Sequence, residues 1–170
     1  MKECSLEIYT DNIDKYTRKD FISFLSTTSV EINGNINNIM DSLVTNTLEV
    51  EYILKKIENF KDKVLKTKIN IIISDFEYSS GKKKTFFSKE YPLGKEAHKV
   101  AKEMNKKIEF KWPKSDLESE VMVWLLTTFI LVKCKGVLKD NTDNVVHVKT
   151  PYQFTMGKLS LAILRLKQSK

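Results

Sequence analysis

The chain has 170 residues, 41% of them hydrophobic and 30% charged, with a net charge of +7 at neutral pH. That balance suits a globular chain with its own core and excludes a collagen-like, low-complexity or largely disordered one. Two cysteines (Cys4, Cys134) and two histidines (His98, His147) are too few for a disulfide framework or a Cys/His metal cluster, so an intracellular setting, cytoplasmic or nuclear, is expected.

Residues 5–10 (SLEIYT) alternate Leu6 and Ile8 with polar neighbours, which predicts a strand ending at Asp11. Residues 20–29 and 30–36 read as a pair of strands, with Asn33-Gly34 as a turn signal. Residues 45–60 predict a helix, with Val50, Ile53, Leu54, Ile57 and Phe60 on one face. Residues 68–74 (KINIIIS) form a β-branched run suited to a strand buried on both faces, ending at Asp75. A second helix is expected over 95–105, and a strand over 107–112, where Ile108, Phe110 and Trp112 alternate with polar residues. A long helix follows from Ser115 to about Lys133. Its apolar run, Val121 to Val132, is too short for the roughly 20 residues that span a bilayer, so a buried core helix and no membrane partner are expected. Residues 136–144 read as a polar loop, 145–148 as a short strand, and 152–167 as a last helix with Met156, Leu159, Ile163 and Leu166 on one face.

This order predicts an α/β fold: a mixed sheet flanked by helices, with the crossover from 48 to 74 joining parallel strands. Two units are expected, a domain over 1–133 and a strand/helix extension over 134–170 packed on it.

The charge is concentrated. Residues 81–115 hold eleven lysines and four glutamates, which accounts for the whole +7, and the remainder balances 18 basic against 18 acidic residues. Phe86, Phe87, Tyr91 and Trp112 are interleaved with these lysines, a composition that suits phosphate contacts and base stacking, though a solvated lysine face has the same signature. The candidate nucleic-acid contacts are Lys82, Lys83, Lys84, Lys89, Lys95, Trp112 and Lys114.

Four acids follow from the predicted element order. Asp11 and Asp75 would end neighbouring parallel strands. Glu49 would lie in the first turn of the helix after residue 45, and Glu120 in the first turns of the helix after Ser115. Four carboxylates meeting at one sheet edge would repel one another unless cations were present. Mg²⁺, with Mn²⁺ as a substitute, takes such oxygen ligands, and two ions can clamp the attacking and leaving oxygens of a phosphoryl displacement. Structural roles compete with this: Glu49 as the N3 residue of a capping box opened by Asn46, Ser115 to Glu118 as a second capping box, and strand-end aspartates as turn residues.

The motifs are Ile8-Tyr9-Thr10-Asp11, Thr45-Asn46-Thr47-Leu48-Glu49, Ile71-Ile72-Ile73-Ser74-Asp75 and Trp112-Pro113-Lys114-Ser115-Asp116 running on to Glu120. Taken in this order, they resemble the ribonuclease H-like superfamily over about residues 4–133. The resemblance implies a five-stranded mixed sheet. It also implies a two-metal carboxylate site of Asp11, Glu49, Asp75 and Glu120 that hydrolyses phosphodiester bonds, most simply RNA in an RNA/DNA hybrid or a structured nucleic acid. The glycine-rich stretch after the first aspartate and the loop histidine of the family have no counterpart here. A second reading is a catalytically inactive relative that binds nucleic acid or serves as a protein-interaction subunit, with the C-terminal helix as the contact.

Overall fold

The computed structural model describes residues 3–11, 17–33, 47–55, 64–77, 93–148 and 151–169. The strands are β1 (Glu3–Thr10), β2 (Val30–Asn33), β3 (Thr47–Leu54), β4 (Val64–Asp75), β5 (Lys106–Pro113), β6 (Gly136–Asp140) and β7 (Val145–His147). The helices are α1 (Arg18–Ser26), α2 (Lys95–Ala101), α3 (Leu117–Lys133) and α4 (Pro151–Gln168). The strands form one sheet in the order β2-β3-β4-β5-β1-β6-β7, and every neighbouring pair is antiparallel.

The α/β class stands, but the five-stranded mixed sheet does not. β3 and β4 pair directly and antiparallel, so no parallel crossover joins them. β1 and β4 do run in the same direction, because each is antiparallel to β5, yet β5 lies between them. Within residues 134–170, β6 pairs with β1, one strand in from the sheet edge, and α4 packs on α3.

Three elements differ from the sequence expectation. Residues 47–54 form a strand, not a helix: Leu48, Tyr52 and Leu54 are buried and Val50 packs beside them, while Glu49 and Glu51 face outward. This is a period of two, and the β-branched and aromatic side chains on it favour a pleated surface. Residues 18–26 form a helix, not a strand. Phe21 and Leu25, four apart, enter the core, and Thr17 opens a capping box with Asp20. Residues 136–140 are a buried strand instead of loop. A Cβ on Gly136 would meet the carbonyl oxygen of Tyr9 at 2.8 Å and Leu131 Cδ2 at 2.9 Å, so the close approach of β6 to β1 requires glycine.

The main core lies between the sheet and the helix layer. Leu6, Ile8, Tyr52, Leu65, Ile69 and Phe110 meet α1 and α3 there. Thirteen of the seventeen residues of α3 are buried, because the sheet, α1 and α4 all pack against it. That placement explains the apolar run as a core helix. Its N-cap is Asp116, which accepts from the backbone N–H of Ser119 at 2.9 Å, and not the expected Ser115. Glu118 instead accepts from the backbone N–H of Lys66. A smaller apolar cluster on the opposite sheet face seats Ala97 and Ala101 of α2, with Leu93 and Met104, against Tyr9 and Val137.

Candidate functional site

The four acids predicted to share a metal site do not meet. Asp75 ends β4 in register with Lys106, which is itself in register with Thr10, so Asp75 and Asp11 do reach the same end of the sheet. Lys106 stands between them and donates to Asp75 at 2.6 Å. Asp75 is 92% exposed, and this ammonium holds its carboxyl below the usual range. Alternate strands stand about 9–10 Å apart, which already separates the two acids. Asp11 lies 3.4 Å from the hydroxyl of Thr10, which also donates to the carbonyl of Lys135.

Glu49 is on the other face of the sheet. It is directly opposite Lys68 in the β3–β4 register, and the two side chains pair at 2.7 Å. This hydrogen bond lowers the Glu49 pKa. Glu120 is at the far end of the sheet, a strand length of roughly 25 Å from Asp75. It is 8% exposed and bonds to Arg165 of α4. Among the described residues no three His, Cys, Asp or Glu side chains lie close enough to hold a metal ion.

The lysines divide in a similar way. Lys82, Lys83, Lys84 and Lys89 lie outside the described residues. Lys95 is exposed at the start of α2, with Lys99 and Lys102 exposed near it in the chain. Lys114 is exposed beyond the opposite end of β5, so it forms no common patch with them. Trp112 is 3% exposed and packs in the main core, so it offers no face to a base.

On the sheet face away from the main core, register turns charge into a lattice of ion pairs. Lys66 meets Glu51 at 2.6 Å, Lys68 meets Glu49, and Lys55 meets Glu31. Further along, Glu7 faces Glu109 on one side and Lys139 on the other. Two carboxylates directly opposite would repel. Lys107 separates them, 2.9 Å from Glu7 and 3.7 Å from Glu109, and Lys111 adds a contact to Glu109 at 3.2 Å. Tyr9 donates to Glu7 at 2.5 Å. Burial alone would raise the Glu7 pKa, but the hydroxyl and the two lysines outweigh it and hold the carboxyl at about 2. Burial and the same carboxylate push the Tyr9 phenol up. No motif pointed to this network, since its members are remote in sequence and only the register brings them together.

The outer surface of α4 is different. Nine of its residues are exposed: Tyr152, Gln153, Met156, Gly157, Ser160, Leu161, Leu164, Arg165 and Gln168. Only Arg165 is charged, and it turns back to Glu120. Tyr152, Met156, Leu161 and Leu164 make up four of the nine large hydrophobic side chains exposed among the described residues. The buried face is Thr155, Leu159, Ala162 and Leu166, so Met156, expected on the inner stripe, lies outside. No helix among the described residues is long and apolar enough to cross a membrane. Comparisons with protein-family models, curated proteins and solved structures find no match.

Proposed function

We propose that the chain works by binding, and that its outer α4 face docks a protein partner. The observation that supports this reading is a helix face with one charged residue in nine, on a chain in which 30% of residues are charged. Ordinary solvated helices carry charge on the face turned to water, and clustered exposed apolar residues mark interaction sites. The basic residues Lys158 and Arg165 of this helix are already paired with Asp143 and Glu120, so recognition at this face rests on apolar contact. The partner that fits is an apolar helix or groove.

The test is site-specific photocrosslinking in the producing cell. A photoreactive side chain at Leu161 or Leu164 should give one discrete protein adduct, and the same group at Ile72 on the ion-paired sheet face should give none. Equal adducts at all three positions, or none anywhere, would overturn the reading.

A second reading, binding of a polyanion such as an RNA/DNA hybrid, has its support in the exposed Lys95, Lys99 and Lys102 and in the lysine-rich composition of 81–115. It predicts binding that weakens steeply with salt and is insensitive to changes at Leu161. The arrangement of Asp11, Glu49, Asp75 and Glu120 gives hydrolysis by two metal ions no support.

A further inference from the structure

The strand β7 lies at one edge of the sheet and is three residues long. Its last residue, His147, meets the start of α4. The imidazole lies flat on the ring of Phe154, with centroids 3.6 Å apart and planes 22° apart. His147 is in register with Leu138 of β6, a core residue, so its side chain points to the face of the sheet that carries the main core. On α3, Trp124 meets Phe154 edge-on at 6.1 Å. Phe154 thus ties the sheet edge to both helices. Of the three rings in this contact, His147 alone titrates near neutral pH.

The surroundings of the imidazole select its neutral form. Nε2 is buried and has no hydrogen-bond partner among the described residues. A neutral imidazole carries one N–H and can leave Nε2 bare, whereas an imidazolium carries a proton on both nitrogens. Protonation therefore sets a charged donor where no acceptor stands, which is costly. Among the described residues, two charged side chains act on the ring from the elements packed against it. Asp140, at the end of β6, attracts the cation, and Lys158 of α4 repels it. The Asp140 carboxylate already accepts from the backbone N–H groups of Thr142 and Asp143 at 2.9 and 3.3 Å, and lies 3.6 Å from Lys158, which pairs with Asp143 at 2.5 Å. Burial is the largest influence, and with Lys158 it outweighs Asp140, so the His147 pKa is held below the ordinary 6.5. A cation over an aromatic ring gains from the π face. The Phe154 ring already has the Lys158 ammonium 5.4 Å from its centre, so a charged imidazole would bring a second positive charge to it.

We propose that the His147–Phe154 stack is a pH-sensitive latch between β7 and α4, closed when the imidazole is neutral and loosened when it is charged. The direction follows from linkage. Above about pH 6.5 the ring is neutral in both the folded and the unfolded chain and the latch is at full strength. As pH falls below that value the unfolded chain takes the proton first, and stability is lost until the folded ring is protonated too.

The test is a titration of the full chain between pH 8 and pH 5, followed by ¹H–¹⁵N NMR of the histidine rings and the backbone. His147 should titrate below 6.5, with its neutral form protonated on Nδ1. Amides of β7 and of the first two turns of α4 should shift with the same midpoint, while those of β3 do not. Phe154→Leu removes the stack and should bring the His147 midpoint back towards 6.5. In parallel, denaturant unfolding compares wild type with His147→Phe, which keeps a flat ring and cannot be protonated. His98, the other histidine, is present in both and cancels in the difference. Relative to the variant, the folded-to-unfolded ratio of wild type should fall about fivefold between pH 7.5 and pH 5. Should His147→Phe not fold, the titrations of wild type and Phe154→Leu decide. The proposal is overturned if His147 titrates at or above 6.5, if Phe154→Leu leaves its midpoint in place, or if the difference between wild type and His147→Phe is the same at pH 7.5 and pH 5.

Discussion

Replacing Glu7 by Gln tests the ion-paired sheet face. The substitution keeps the shape and an oxygen that accepts from Tyr9, and removes only the charge that Lys107 and Lys139 face at 2.9 and 3.4 Å. The carboxyl is held at about 2 against an ordinary 4.5. At about 1.4 kcal/mol per pKa unit this corresponds to roughly 3 kcal/mol of stability. Both lysines keep part of their surface in water, so screening reduces the expected figure to about 2 kcal/mol. A carboxyl with a lowered folded-state pKa stabilises fully above its unfolded pKa. The contribution is lost as pH falls from about 4.5 towards 2. The assay is denaturant unfolding of wild type and Glu7→Gln at several pH values between 7 and 2. The variant should be less stable by about 2 kcal/mol at pH 7, a fall in Tm of about 4–8 °C for a chain of this size, and the gap should close at pH 2. Other carboxylates titrate in both proteins and cancel in the difference. A gap of the same size at pH 2 and pH 7 would refute the reasoning, because it would show that the loss comes from packing and not from charge.

Gly136→Ala should destabilise by about 1–3 kcal/mol, since the new methyl meets the Tyr9 carbonyl and Leu131, and a melting curve equal to wild type would show that β6 can move away from β1. Thr17→Ala removes the side chain that caps α1 and should cost about 1 kcal/mol in denaturant unfolding. Excess MgCl₂ should leave Tm unchanged once ionic strength is matched, because a ligand bound only by the folded state raises it. A rise in Tm that Asp75→Asn abolishes would restore a metal role to that end of the sheet.

The elements that could be read from the sequence are those whose apolar pattern had one interpretation. β5 alternates over Ile108, Phe110 and Trp112, and α3 has an unbroken run behind an acidic first turn; both lie where the pattern put them. Where two periods fit, the pattern misled. In 47–54, Val50 and Leu54 lie four apart and suit a helix, yet Leu48, Val50, Tyr52 and Leu54 also suit a strand, and pairing with β2 and β4 decides for the strand. In 18–26 the spacing of Phe21 and Leu25 and the Thr17–Asp20 box were the helix signals, masked by a run of Ser, Thr and Phe that resembles a strand. β6 was hidden by its polar end, where Lys139 faces the ion-paired side and Asp140 shapes a turn. The candidate site suffered more than the fold, because its argument needed strand neighbours, and neighbours are set by long-range pairing that local spacing does not encode.

The fate of Glu49 shows how small a difference separates the two readings. On a helix its carboxylate would have stood at an N-terminus, near the end of the strand carrying Asp75. On β3 its odd position turns it away from the buried Leu48 and Tyr52 and onto the face opposite Asp75. Once there, the antiparallel register supplies a lysine directly across from it, as it does for Glu51. Carboxylates that require metal ions are those whose neighbours are other carboxylates. Here Asp75, Glu49, Glu51, Glu7 and Glu120 each have a cation within reach, and a divalent ion would have to displace an ammonium or guanidinium already in place. The same pairing makes the lysines of the open sheet face poor anchors for a polyanion, since each phosphate would compete with a carboxylate. The outer face of α4 carries one charge, Arg165, and it too is paired, with Glu120, one of those same acids. What that face leaves to solvent is apolar surface, Tyr152, Met156, Leu161 and Leu164, and not charge.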